Sequence, residues 1–179
     1  GKKVLMAVSG VIFTGFVFGH MYGNLKAFFG PETFNHYAEF LREMGAPLLM
    51  HGQLLWVFRI ELILAVLIHV VPAIQLWWLG RTARPVQYAR TLATLETTFA
   101  ALTVIGGGVL ICVFLFLPIR HLTTVNLHPD FVPGDAYNNL VVGFQWVPIP
   151  ILYIVVMAAI CLHLYHGVWS ALQTLGINH

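Results

Sequence analysis

Charge is what this chain has least of. Of its 179 residues, 9% are charged and 59% are apolar. A soluble domain carries roughly 25% charged residues, so a water-solvated globule is excluded. With a net charge of only +2, the basic surface that nucleic acid requires is missing as well. Cysteine is nearly as scarce: Cys112 and Cys161 both lie in apolar runs and show no pairing pattern, so neither a disulfide framework nor a redox compartment follows from them. Internal repeats and low-complexity tracts are absent. No cleavable leader is expected, because the first apolar run is too long and lacks a small-residue cleavage site. The chain opens at Gly1 and stops after GINH, and the expectation is a fragment of a longer polypeptide.

What is present is apolar length. Four runs, at about residues 4–29, 54–80, 93–119 and 147–173, each exceed the roughly 20 residues that cross a bilayer core. Their connections, GPETFNHYAEFLREMGAP, GRTARPVQYART and HLTTVNLHPDFVPGDAYNN, carry the turn residues. The first and third are expected to hold short interfacial helices or packed loops, the second a tight basic turn. The expected fold is an all-α integral membrane protein, one transmembrane helix bundle over residues 1–179. Lys2, Lys3, Arg81, Arg84 and Arg90 fall on one side, with no acidic residue among them. Lys26, Arg42 and Arg120 fall on the other, diluted by Glu32, Glu39, Glu43, Asp130 and Asp135. The positive-inside rule then puts both chain ends toward the cytoplasm, or the mitochondrial matrix. Trp56 and Trp146 near outer ends, and Trp77, Trp78 and Trp169 near inner ends, fit an aromatic belt.

With direction set, depth follows at ~1.5 Å per helical residue. His69 and His163, on the second and fourth runs, each lie about 22 Å from their outer ends. His20 lies about 24 Å from the inner end of the first run, and His121 closes the third, just past Pro118. Ionisable side chains at membrane depth mark functional sites by default, although a histidine in an apolar helix also commonly just bonds a neighbour. Two depth-matched imidazoles suit the iron of a haem held edge-on between helices. Gly19, Gly23, Gly106 to Gly108 and Gly167 would let the helices stand apart; close helix packing is the plainer role for such glycines, and Gly19 and Gly23 have the spacing for it.

Other polar groups are less specific. Arg59 would hold a haem propionate or quinone, or snorkel to the interface; Glu61 would move protons or pair with a neighbour. His166, one turn from His163, would contact a propionate, a quinone or a partner subunit, or simply bond a neighbour. Quinone contacts are sought at Glu43, His51 and Gln53 at one end, and at His166, Trp169 and Arg84 at the other. His36, His128 and His179 fall in loops or at the end and are assigned nothing. An iron–sulfur site built from both cysteines is disfavoured because Cys112 lies about 26 Å along its helix from the inner side, whereas Cys161 is in the inner half. A proton-coupled transporter with a histidine relay is the more distant alternative, lacking repeats and, Pro118 aside, interruptions.

These residues carry a family resemblance. KKVLMAVSGVIFTGFVFGHMYGNLKAFFGPETFNHYAEFLREMGAPLL, HGQLLWVFRIELILAVLIHVVPA and HLYHGVWSALQTLGIN together resemble the membrane-anchor cytochrome b subunit of succinate:quinone oxidoreductase and fumarate reductase, respiratory complex II, of the single-anchor, usually dihaem class. The resemblance implies a haem-ligand position on each of four helices. His20, His69 and His163 match the first, second and fourth, giving an inner haem on His69 and His163. Pro118 stands at the third, where a proline cannot bind iron and is expected to kink the helix. The outer haem would then pair His20 with His121, about 4.5 Å further along the axis, or be absent. Further implications are one or two haems b, menaquinone or ubiquinone, and flavoprotein and iron–sulfur subunits as partners, with a higher oligomer compatible. The chain would sit in the bacterial cytoplasmic or mitochondrial inner membrane, with a fifth span beyond GIN. It would pass electrons from the iron–sulfur subunit through haem to quinone, or the reverse for fumarate reduction, leaving succinate chemistry to other subunits. A haem-free, quinone-binding anchor of the same complex is the alternative.

Overall fold

Within a bilayer no water satisfies the backbone, so an apolar chain of this kind closes its hydrogen bonds inside helices. The computed structural model describes residues 1–83, 99–123 and 130–177, and among them every regular element is helical. The expected basic turn at Arg84 and Arg90, the first residues of the third run (93–98), His128 and His179 lie outside the described residues. Helix α1 (Lys2–Leu25) ends in a 3-10 turn, Lys26–Phe29, and α2 is Pro31–Glu43. Next come α3 (Gln53–Thr82), α4 (Phe99–Phe114), α5 (Phe116–Pro118) with a π turn at Ile119–Thr123, α6 (Ala136–Phe144) and α7 (Pro148–Thr174). Four helical stretches are long and apolar enough to cross a membrane: Lys2–Phe29, Gln53–Thr82, Thr103–Leu122 and Pro148–Thr174. The expected runs and these stretches coincide to within a few residues wherever both ends are described, and both polar connections hold the short helices expected of them.

Prolines explain the starts and the break. Pro31 and Pro148 open α2 and α7, where a missing N–H costs nothing and the fixed φ is already helical. Pro118 acts differently. Its ring clashes with the carbonyl four residues back, that of Phe114, and α4 stops there before resuming as α5 and the π turn. Pro72 does not interrupt its helix: it is buried inside α3, which continues past it.

Helix α1 packs against α3 and α7, and α7 packs against α4. Apart from Phe114 of α4, which packs on Tyr153 of α7, the side chains buried here are small or medium-sized: Ala7 and Ser9 on α1, Ala65 on α3, Val156 and Ala171 on α7. Small residues let membrane helices approach closely where apolar driving force is lacking. Large apolar side chains such as Ile63, Val109 and Ile154 point outward instead, as lipid contact requires.

At one end of the bundle α2 and α6 are clasped together. Asn35 Nδ2 donates to Asp135 Oδ1 at 2.9 Å, and Asn35 Oδ1 accepts the Tyr137 amide at 2.9 Å. Asp135 caps α6 by accepting the Asn138 amide at 2.9 Å. The Asn138 amide, and then the Asn35 side chain, hold the Asp135 carboxyl below its ordinary value. A depressed carboxyl stabilises the fold fully above its unfolded value of about 3.9 and loses that contribution as pH falls through the folded value. Asn35→Ala is expected to lower stability by about 1–2 kcal/mol at neutral pH, since two hydrogen bonds go. In detergent-solubilised protein the Tm gap between Asn35→Ala and the parent should hold from pH 7 to about 5 and narrow below about 4.

Candidate functional site

A glycine inside a helix leaves the carbonyl one turn before it unshielded, because no Cβ stands over it. The chain uses this device beside both midmembrane histidines. On α1, Gly10 leaves the Met6 carbonyl accessible, and the His69 ring of α3 lies against it. His69 Nδ1 is 3.2 Å from Met6 O and 3.1 Å from Ser9 Oγ. A Cβ at Gly10 would touch the ring at 3.6 Å. Phe13 presents its edge to the same ring, centroids 5.7 Å apart at 85°.

On α4, Gly108 stands in the same relation to the His163 ring of α7. A Cβ there would lie 3.4 Å from Cε1 and 3.8 Å from Nδ1. The carbonyl one turn earlier is that of Val104. His163 Nδ1 is buried beside it without reaching good hydrogen-bond geometry. A cavity of about 50 Å³ adjoins the ring, bounded by Val104, Gly107, Ala159 and Leu162 among others.

The two rings meet. Their centroids are 6.2 Å apart and their planes 59° from parallel. Imidazole nitrogens sit about 2.0–2.1 Å from a metal ion they bind, which puts two rings on opposite faces of one ion roughly 6 Å apart, centroid to centroid. Among the described residues no group of three or more His, Cys, Asp or Glu converges. A metal cage made of protein ligands alone is therefore not built there. Two imidazoles would fit a metal that brings its other ligands with it, as haem iron does.

The remaining histidines are not brought into this pair. His20 is exposed on α1 and stacks on Phe16, centroids 5.2 Å apart at 18°. His121 is buried among Phe131, Phe144 and Tyr153, at 5.8, 6.2 and 6.5 Å. Its Nε2 and Cε1 face Gly143 of α6, where a Cβ would come within 2.6 and 2.7 Å. No ring contact joins His20 to His121 among the described residues. His166 is half-buried one turn beyond His163.

The charged groups divide similarly. Arg59 is half-buried with its guanidinium carbon 4.9 Å from the Trp56 ring centre on its own helix, the arrangement of a snorkelling side chain. Glu61 is exposed on the same helix. Gln53 accepts the Met50 amide at 3.0 Å and His51 lies 3.9 Å from Glu39, so both serve the turn into α3; Glu43 ends α2. Trp169 is exposed, and Arg84 lies outside the described residues.

Of the glycines expected beside a haem, Gly108 alone touches a histidine. Gly19, Gly106, Gly107 and Gly167 have open space, and Gly23 lies under the Tyr37 ring. Ser9, Gly10 and the Met6 carbonyl escaped the sequence reading. A Ser–Gly pair inside an apolar run was their only signal. No family model, curated relative or solved structure matches the chain, so the geometry carries the functional reading without their help.

Gly143→Ala should force the His121 ring or α6 to shift and cost about 1–3 kcal/mol of stability. Gly15→Ala, with nothing near its Cβ, should be neutral or stabilise by up to about 1 kcal/mol. Thermal unfolding of the two variants in one detergent measures the difference.

Proposed function

We propose that the chain is the membrane anchor of a complex II-type oxidoreductase, binding one haem b between His69 and His163 and passing electrons between a soluble iron–sulfur subunit and quinone. The observation that carries this reading is the ring pair itself: two imidazoles on separate membrane helices, 6.2 Å apart, with His69 Nδ1 held against the Met6 carbonyl and Ser9 of a neighbouring helix. That contact leaves His69 Nε2 for a ligand. The four apolar helices and the resemblance in the GHMYGNL and HLYHGVWS segments support it further.

The chain's own residues bind, orient and insulate. His69 and His163 would hold the haem iron, while Gly10 and Gly108 leave room for each ring beside the neighbouring helix. Phe13 braces His69 from the side, and the apolar faces of α1, α3, α4 and α7 exclude water. What haem b supplies when bound is one-electron storage, between clusters that release electrons singly and a quinone that takes two. His166, on the α7 turn nearer the basic side, would serve a propionate or quinone; Arg59 is turned to Trp56. His20 and His121 are not part of this pair, which is the basis for one haem rather than two.

The test is a pyridine haemochrome assay on the purified complex, normalised to bound flavin. One haem b is expected, lost in His69→Ala and in His163→Ala and retained in His20→Ala and His121→Ala. Two haems, one of them lost in His20→Ala, would mean that a second site forms at the other end. No haem would leave the quinone-binding anchor as the reading.

A further inference from the structure

The two rings are held unequally. His163 Nδ1 has the Val104 carbonyl beside it at poor geometry, whereas His69 Nδ1 has two oxygen partners within 3.2 Å. One of those, the Met6 carbonyl, can only accept. The contact is a hydrogen bond only if His69 carries its proton on Nδ1. The other, Ser9 Oγ, can donate or accept, and the backbone decides between them. Its single proton has the Leu5 carbonyl at 2.9 Å and the Met6 carbonyl at 3.1 Å. With the proton directed to Leu5, a lone pair of Oγ faces Nδ1–H. Ser9 is 1% exposed, so no water competes for either contact.

We propose that Ser9 is a positioning residue for the site: with the Met6 carbonyl it forms a two-acceptor cradle that fixes the Nδ1–H tautomer of His69 and aims the Nε2 lone pair away from α1. The proposal rests on the haem reading for its purpose but not for its geometry. An acceptor on the far nitrogen raises the donor strength of an axial imidazole and holds its ring orientation. Ser9 would therefore make His69 the stronger and more rigid of the two ligands. In the haem-loaded complex it would favour the oxidised iron.

The decisive measurement is nitrogen-15 NMR of labelled histidine in the full chain, reconstituted in lipid without haem at about pH 8, where an ordinary imidazole of pKa about 6.5 is neutral. His69→Ala assigns the signal. The expected spectrum shows His69 protonated at Nδ1 and bare at Nε2. Ser9→Ala should raise the Nε2–H fraction several-fold, and Ser9→Thr, which keeps the hydroxyl, should restore the parent distribution. A His69 protonated at Nε2 in the parent chain, or an Nε2–H fraction unmoved in Ser9→Ala, would overturn the proposal. A redox titration of the haem-loaded complex gives the second readout, with the midpoint potential of Ser9→Ala expected above that of the parent at equal haem content. The expected tautomer in a complex lacking haem would overturn the haem reading and leave the cradle standing. Haem present with an unmoved tautomer would do the reverse.

Discussion

A polar side chain in the middle of a bilayer has no water to fall back on, and the contact between His69 and the Met6 carbonyl answers that constraint. The imidazole needs an acceptor, and the acceptor it finds already belongs to a hydrogen-bonded helix. A helix carbonyl has a second lone pair to offer, but ordinarily a Cβ one turn later stands in the way. Gly10 removes it. Much of the inner architecture depends on this approach, because the ring reaches the carbonyl only if α1 and α3 pack closely. That closeness is supplied by small residues, Ala7 and Ser9 on one helix and Ala65 on the other.

A related arrangement appears between α7 and α4, where Gly108 lies against the His163 ring although His163 Nδ1 makes no hydrogen bond. A single histidine satisfied by a backbone carbonyl is a common structural event. Two histidines, on two different helices, each against a glycine and presenting rings 6.2 Å apart, require that both helix pairs be set in register. His69 is satisfied without its neighbour, and the contact does not satisfy His163 Nδ1 either. Electrostatics would keep two protonated imidazoles apart, and neutral ones gain little from a tilted contact. A third party bound by both nitrogens, as proposed above, would account for the proximity, which is why the ring pair, more than the apolar helices, carries the functional reading.

How much of this the sequence disclosed follows from what kind of information each step needs. Span positions depend on apolar length alone, and they were legible to within a few residues where described. Depth needs only the helical rise, and it matched His69 with His163 before any contact was known. Lateral position is another matter. Which helix neighbours which, and which face it turns, depends on packing between segments far apart in the chain. Nothing local therefore distinguishes Ser9 and Gly10 from Gly19, Gly106 and Gly167 in the sequence.

His121 shows the same limit from the other direction. Spacing put it on about the face of Pro118, three residues earlier, on the assumption that the helix runs on regularly. The proline stops α4 at Phe114, and the chain resumes through a short turn and a π turn, whose hydrogen bonds skip one residue more than an α-helix allows. Each residue in a π turn advances by a smaller angle, so side chains beyond Pro118 leave the α-helical register. His121 ends beneath α6, pressed on Gly143 and ringed by Phe131, Phe144 and Tyr153. Its burial is supported by the clasp that ties α6 to α2 through Asn35 and Asp135. The two ends of the bundle are thus held by different physics. Between α1, α3, α4 and α7, glycines bring histidine rings to helix carbonyls; beyond Pro118, an aromatic cage and a polar clasp enclose a histidine. A histidine three residues past a proline does not fall where a regular helix would put it, because the proline changes the helix that carries it.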